Sequence, residues 1–127
     1  MNYYDNGLGI TADSLAYYRE HRQKLGAFVA AEARFPGLHN RYPYCLELRD
    51  DRGNRILLSG FGAGYDNAAS RGAVEVLIDA GFPSLDAQQV LRKREVTLLY
   101  SVSLRPSPLV RPSRRWWRTA RRSSRPR

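Results

Sequence analysis

The chain has little of the chemistry on which metal and disulfide sites depend: one cysteine, Cys45, and two histidines, His21 and His39, in 127 residues. A single thiol excludes an internal disulfide framework and fits a reducing compartment. Three such ligands at these spacings are too few for a zinc site. Asp50 and Asp51 sit in a turn pattern, and no further carboxylates are placed to complete a calcium loop. No apolar run approaches the roughly 20 residues of a bilayer-spanning helix. Residues 1–5, MNYYD, also lack the basic then apolar plan of a secretory signal. The expectation is a soluble cytoplasmic protein without metal or cofactor.

Acidic residues and lysine are both missing from residues 104–127, and that absence organises the charge. This stretch holds nine arginines, and residues 1–103 hold the other 12 basic residues together with all 12 acidic ones. The net charge of +9 therefore belongs to the C-terminal segment, joined to a neutral body. The length fits one domain, with core-forming patterns ending near residue 103. Residues 1–103 are expected to be a compact α+β domain and residues 104–127 a disordered Arg/Pro/Ser-rich tail, since the tail has few apolar residues to offset the entropy of ordering.

Within the body, Leu15, Tyr18, Leu25, Phe28 and Val29 recur at helical spacing, which predicts a first helix over 12–34. Thr11 or Asp13 is positioned to cap it, and Phe35-Pro36-Gly37 to end it. Gly26 inside that helix implies a bend or a close backbone approach. A hairpin follows, with strands from Tyr44 and Arg55 around the turn Asp50-Asp51-Arg52-Gly53-Asn54. Residues 67–80 read as a second helix, stopped by Gly81, Phe82 and Pro83 in a left-handed C-terminal cap. Ser84 is positioned to cap a short helical turn through Leu91. Residues 95–103 alternate as a third strand. The order α-β-β-α-(short α)-β predicts a small three-stranded sheet with helices on one face. Such a thin sheet invites a protein partner or a homodimer along its edge.

Two segments carry candidate chemistry. The loop containing Gly60, Gly62, Gly64 and Tyr65 lies between a strand and a helix, with Arg71 in that helix's first turns. Backbone amides and a helix N-terminus there suit an anion or nucleotide, and Tyr65 offers a stacking face. The spacing is neither G-x-G-x-x-G nor a Walker loop, and a tight turn capped by Asp66 or Asn67 explains it as well. Catalytic groups are scarce. His39 and Cys45 are close in sequence but have no third orienting residue, and Glu75 and Asp79 read as a solvated charge pair. Enzyme activity has no support in these patterns.

The second segment is the tail. Arg114, Arg115, Trp116, Trp117 and Arg118, continued by Arg121 and Arg122, combine guanidinium forks for phosphates with indoles for unpaired bases. The leading expectation is a small non-enzymatic protein that binds RNA or single-stranded DNA nonspecifically through this tail. Competing readings are an anionic membrane surface as the tail's partner, or an accidental extension beside an interaction or inhibitor module formed by the body. A nucleotide- or anion-binding protein using the glycine-rich loop is the third.

Overall fold

In the computed structural model of the chain, which describes residues 1–36 and 43–99, the α+β class holds and the sheet is larger than expected. Five strands, β1 (Asn2–Tyr4), β2 (Phe28–Arg34), β3 (Leu46–Asp50), β4 (Arg55–Leu58) and β5 (Glu95–Leu99), lie in the order β1-β4-β3-β2-β5. Only the β1–β4 pair is parallel. The helices are α1 (Thr11–His21), α2 (Ala68–Asp79) and the short α3 (Ser84–Ala87), with 3-10 turns at Arg22–Lys24 and Gln88–Leu91. None of these helices is long and apolar enough to cross a membrane.

The expected three-stranded sheet is corrected at two places. The helix expected over 12–34 stops at His21, and its second half is strand β2, paired with β3 on one side and β5 on the other. Alanine-rich FVAAEAR has helical propensity, but hydrogen bonding on both edges and burial of Phe28, Ala31 and Ala33 override it. Gly26 marks the break. Its amide donates to Asp50 Oδ2 at 2.7 Å, and a Cβ there would stand 2.3 Å from Asp51 Oδ1. The second correction is β1, a three-residue strand too short to show a pattern, held by Arg55 N donating to Met1 O at 2.9 Å and Asp5 N to Leu57 O at 3.1 Å.

The hairpin turn and the two ends of α2 match their local signals. The hairpin turns through residues 50–54, and Asn67 caps α2 by accepting from Ser70 N at 2.9 Å. Gly81, at φ +108, ends the same helix: its amide reaches Ile78 O at 3.0 Å while Phe82 N reaches Leu77 O at 3.0 Å, the paired bonds of a Schellman motif. The caps expected from Thr11, Asp13 and Ser84 do not form. Thr11 Oγ1 instead donates to Gly60 O at 2.6 Å, Asp13 accepts from Asn6 and Ser84 from Gln88. The part of the third strand expected beyond Leu99 lies outside the described residues, as does the tail.

One core sits between the sheet and the helices. Leu46, Leu48, Ile56, Leu58, Val96 and Leu98 project from the sheet onto Tyr18, Val76, Leu77 and Val90. Each large side chain buried this way contributes about 1.5–3 kcal/mol. The alternate residues face away from the helices, where buried Glu47 gathers Arg55 at 2.7 Å, Arg49 at 3.7 Å and Arg34 at 3.9 Å.

Candidate functional site

Strand β4 runs out through Ser59 into the glycine-rich loop, and a buried polar cluster fixes that exit. Asp5 Oδ2 accepts from Ser14 Oγ, from Ser59 N at 2.8 Å and from Ser59 Oγ at 3.1 Å, while Oδ1 accepts from Gly7 N at 2.9 Å. Ser14 Oγ in turn accepts from Gly60 N at 2.7 Å, and Ser59 Oγ from Gly9 N at 3.0 Å. Ser14 is wholly buried, four residues before the equally buried Tyr18 on α1. Sequence reading missed this cluster. Its one local trace is that i, i+4 spacing, which places Ser14 on the inward side of the helix.

Of the loop residues singled out from sequence, Gly60 lies deepest. A Cβ there would meet Ile10 O at 2.4 Å, so the glycine is required by the close pass of the α1 N-terminus. Its amide is held by Ser14, and the Gly64 amide donates to Val90 O at 2.8 Å. Gly62 packs beside Pro36 and Ala69. Phe61 and Ala63 between these glycines are buried in the core. Arg71 Nε meets Asp66 Oδ1 at 2.6 Å, with both side chains exposed. Two of the three glycine amides thus serve the fold, and the cation pairs with the carboxylate at the loop's end.

Tyr65 differs from them. It is 54% exposed and meets Phe35 edge-on, with ring centroids 5.4 Å apart at 64°. Arg94 lies over the same Phe35 ring, its Cζ 4.7 Å from the centroid, and Phe35 N donates to Arg94 O at 2.7 Å. The strands explain the grouping: Phe35 follows β2, Arg94 precedes β5, and the Arg34↔Glu95 pairing brings these ends together. Arg92 and Lys93 stand next to Arg94, and all three are exposed. Phe35, Arg92, Lys93 and Arg94 were not singled out from sequence.

Other polar groups form contacts elsewhere in the fold. Between α1 and α2, a groove of about 340 Å3 is lined by Leu15, Tyr18, Arg19, Arg22, Glu75 and Asp79, among others. Tyr18 OH donates to Asp79 Oδ2 at 2.8 Å, Arg22 meets the same oxygen at 3.0 Å, and Arg19 pairs with Glu75 at 3.0 Å. Burial, with the bond to Asp79, pushes the Tyr18 phenol far above its usual range. Glu75 and Asp79 are thus tethers to α1, not a free carboxylate pair. Burial also raises the Cys45 thiol, outweighing nearby Arg34, and disfavours the nucleophilic thiolate. His39 lies outside the described residues. His21 stacks on Tyr17, with ring centroids 3.9 Å apart, and donates from Nδ1 to Tyr17 O at 2.9 Å. Among the described residues, no group of three or more His, Cys, Asp or Glu side chains could hold a metal ion.

No family model, curated protein or solved structure matches the chain. Arg114, Arg115, Trp116, Trp117, Arg118, Arg121 and Arg122 lie outside the described residues.

Proposed function

We propose that this chain is a small, non-enzymatic cytoplasmic protein that binds RNA or single-stranded DNA with little sequence preference through residues 104–127. The observation that carries the reading is the segregation of charge: nine arginines and two tryptophans in a segment without a single acid, attached to a body whose formal charges balance. Phosphate neutralisation by such a segment supplies affinity without base readout, and the indoles favour strands whose bases are unpaired. The body supports a scaffold role, because Asp5, Ser14, Ser59 and Asp50, four of its buried polar side chains, are engaged in internal hydrogen bonds.

The test is fluorescence anisotropy of labelled single-stranded and duplex oligonucleotides with the full chain and with Trp116→Ala/Trp117→Ala. Stacking is worth about 1–3 kcal/mol per base, so single-strand affinity should fall at least about fivefold and duplex affinity less. Equal losses on both polymers would remove the stacking role. Failure of the full chain to bind either polymer near physiological salt would overturn the reading and leave the tail to an anionic membrane surface, or to no function.

A second reading has its own observation. Among the described residues strand β5 is an edge of the sheet and carries Leu99, 80% exposed, a position suited to a protein partner or a second copy adding along that edge. A concentration-dependent mass in light scattering that Leu99→Lys abolishes would favour it.

A further inference from the structure

We infer that the body itself carries a single-strand contact, formed by Tyr65 as a stacking face and Arg92, Lys93 and Arg94 as a phosphate track. The inference rests on the nucleic-acid reading for its choice of polymer, but on residues that belong to the folded body and not to the tail.

Three observations converge on it. First, Tyr65 is an exposed aromatic held in place: its ring meets Phe35 edge-on at 5.4 Å, and Gly64 before it is pinned to Val90 O at 2.8 Å. A ring packed against a neighbour yet 54% exposed has less freedom to lose when a base lies on it, a condition that favours stacking. Second, Arg94 is held over Phe35 at 4.7 Å beside that ring, so a guanidinium is positioned within reach of the phosphate of a base stacked on Tyr65. Third, no ion pair among the described residues takes up these cations, although the exposed carboxylate of Glu95 follows Arg94 in the chain. The ion pairs among the described residues involve Arg19, Arg22, Arg34, Arg49, Arg55 and Arg71, which leaves Arg92, Lys93 and Arg94 outside them. Lys93 is steadied by neutral Gln89 at 3.0 Å.

The combination selects among polyanions. An acidic peptide would satisfy the three cations without needing the tyrosine. A duplex keeps its bases stacked on one another and would likewise leave Tyr65 idle. Of these three polyanions, a strand with unpaired bases is the one that uses both halves of the patch, with a base on the ring and phosphates along residues 92–94. The body would thereby fix where a strand begins, while the tail supplies sequence-independent attraction.

The experiment uses the full chain with three substitutions: Tyr65→Ala, Tyr65→Phe and Arg94→Gln. Each alters an exposed side chain, and circular dichroism melts verify that the fold is retained. Binding to labelled oligo(dT) is measured beside a duplex, and 4-thiouridine in oligo(U) is photo-crosslinked and the attached peptide sequenced. The expected result is a loss of roughly fivefold or more on oligo(dT) for Tyr65→Ala, near-normal binding for Tyr65→Phe, and a crosslink at Tyr65. Normal oligo(dT) binding by both Tyr65→Ala and Arg94→Gln would overturn the patch; if Trp116→Ala/Trp117→Ala still lost affinity, the tail reading would survive alone. Loss in the patch variants with normal binding by the tryptophan variant would support the patch and remove the tail's stacking role. Competition by poly-glutamate as effective as oligo(dT) at equal charge would overturn the nucleic-acid assignment of the patch.

Discussion

Asp50 accepts four hydrogen bonds, from Gly26 N, Arg52 N, Asn54 N and Asn54 Nδ2, at 2.7–3.0 Å. Burial alone would raise its carboxyl, but the bonds from Gly26, Asn54 and Arg52 outweigh it and hold the group below its ordinary value. The sign of the pH effect follows. A carboxyl depressed in the folded state, and near 3.9 in the unfolded chain, stabilises fully above the unfolded value; that contribution disappears as pH falls through the folded value. Asp50→Asn should cost about 2–4 kcal/mol at pH 7, because an amide group faces donors it cannot accept from. Urea melts at pH 7 and pH 3 should show the variant's deficit shrinking at the lower pH. Ser14 is a second residue at which a single change should weaken the fold. Ser14→Ala leaves the Gly60 amide without its acceptor and removes a donor from Asp5, for an expected loss of about 1–3 kcal/mol in the same assay. Sequence alone could not reveal either role, since Ser14 meets a residue 46 positions away and Asp50 one that is 24 away.

At the scale of elements, β2 decides the architecture. It lies between β3 and β5, so its amides and carbonyls are bonded on both edges, whereas β1 pairs only with β4 among the described residues. Hydrogen exchange should place the amides of Ala30 to Ala33 among the slowest in the chain and those of Asn2–Tyr4 among the faster strand amides. Slow exchange in β1 with fast exchange in β2 would contradict the strand order. This is also where sequence legibility stopped. The hairpin, α2 and its Gly81 exit were readable because turn residues, periodicity and caps are encoded within a few positions. Residues 28–34 encode a helix locally and become a strand through partners far away in sequence, such as Leu98 opposite Ala31 and Leu99 opposite Ala30. The Tyr65 patch was half legible for the same reason: the tyrosine was identified as a stacking face, but Phe35 and Arg94 join it only through that β2–β5 pairing.

At the scale of the whole molecule, charge is compositional and could be read without any fold, so the division between a neutral body and a +9 segment leads to a quantitative expectation. Each phosphate that an arginine neutralises releases condensed counterions, which makes the logarithm of affinity fall linearly with the logarithm of salt concentration. With six of the nine arginines engaged, the slope on a single strand should be about −4 to −5. Replacing Arg114, Arg115 and Arg118 with glutamine removes three of those contacts, and at about 0.7 per phosphate the slope should become shallower by about 2. Substituting Arg94→Gln in the body should remove about 0.7 if that residue meets one phosphate, without altering the tail's share. Anisotropy titrations at four salt concentrations separate these contributions, since they compare slopes and not absolute affinities. An unchanged slope after the triple substitution would mean that the arginines of residues 114–118 do not meet phosphate, and that the attraction lies elsewhere in the chain.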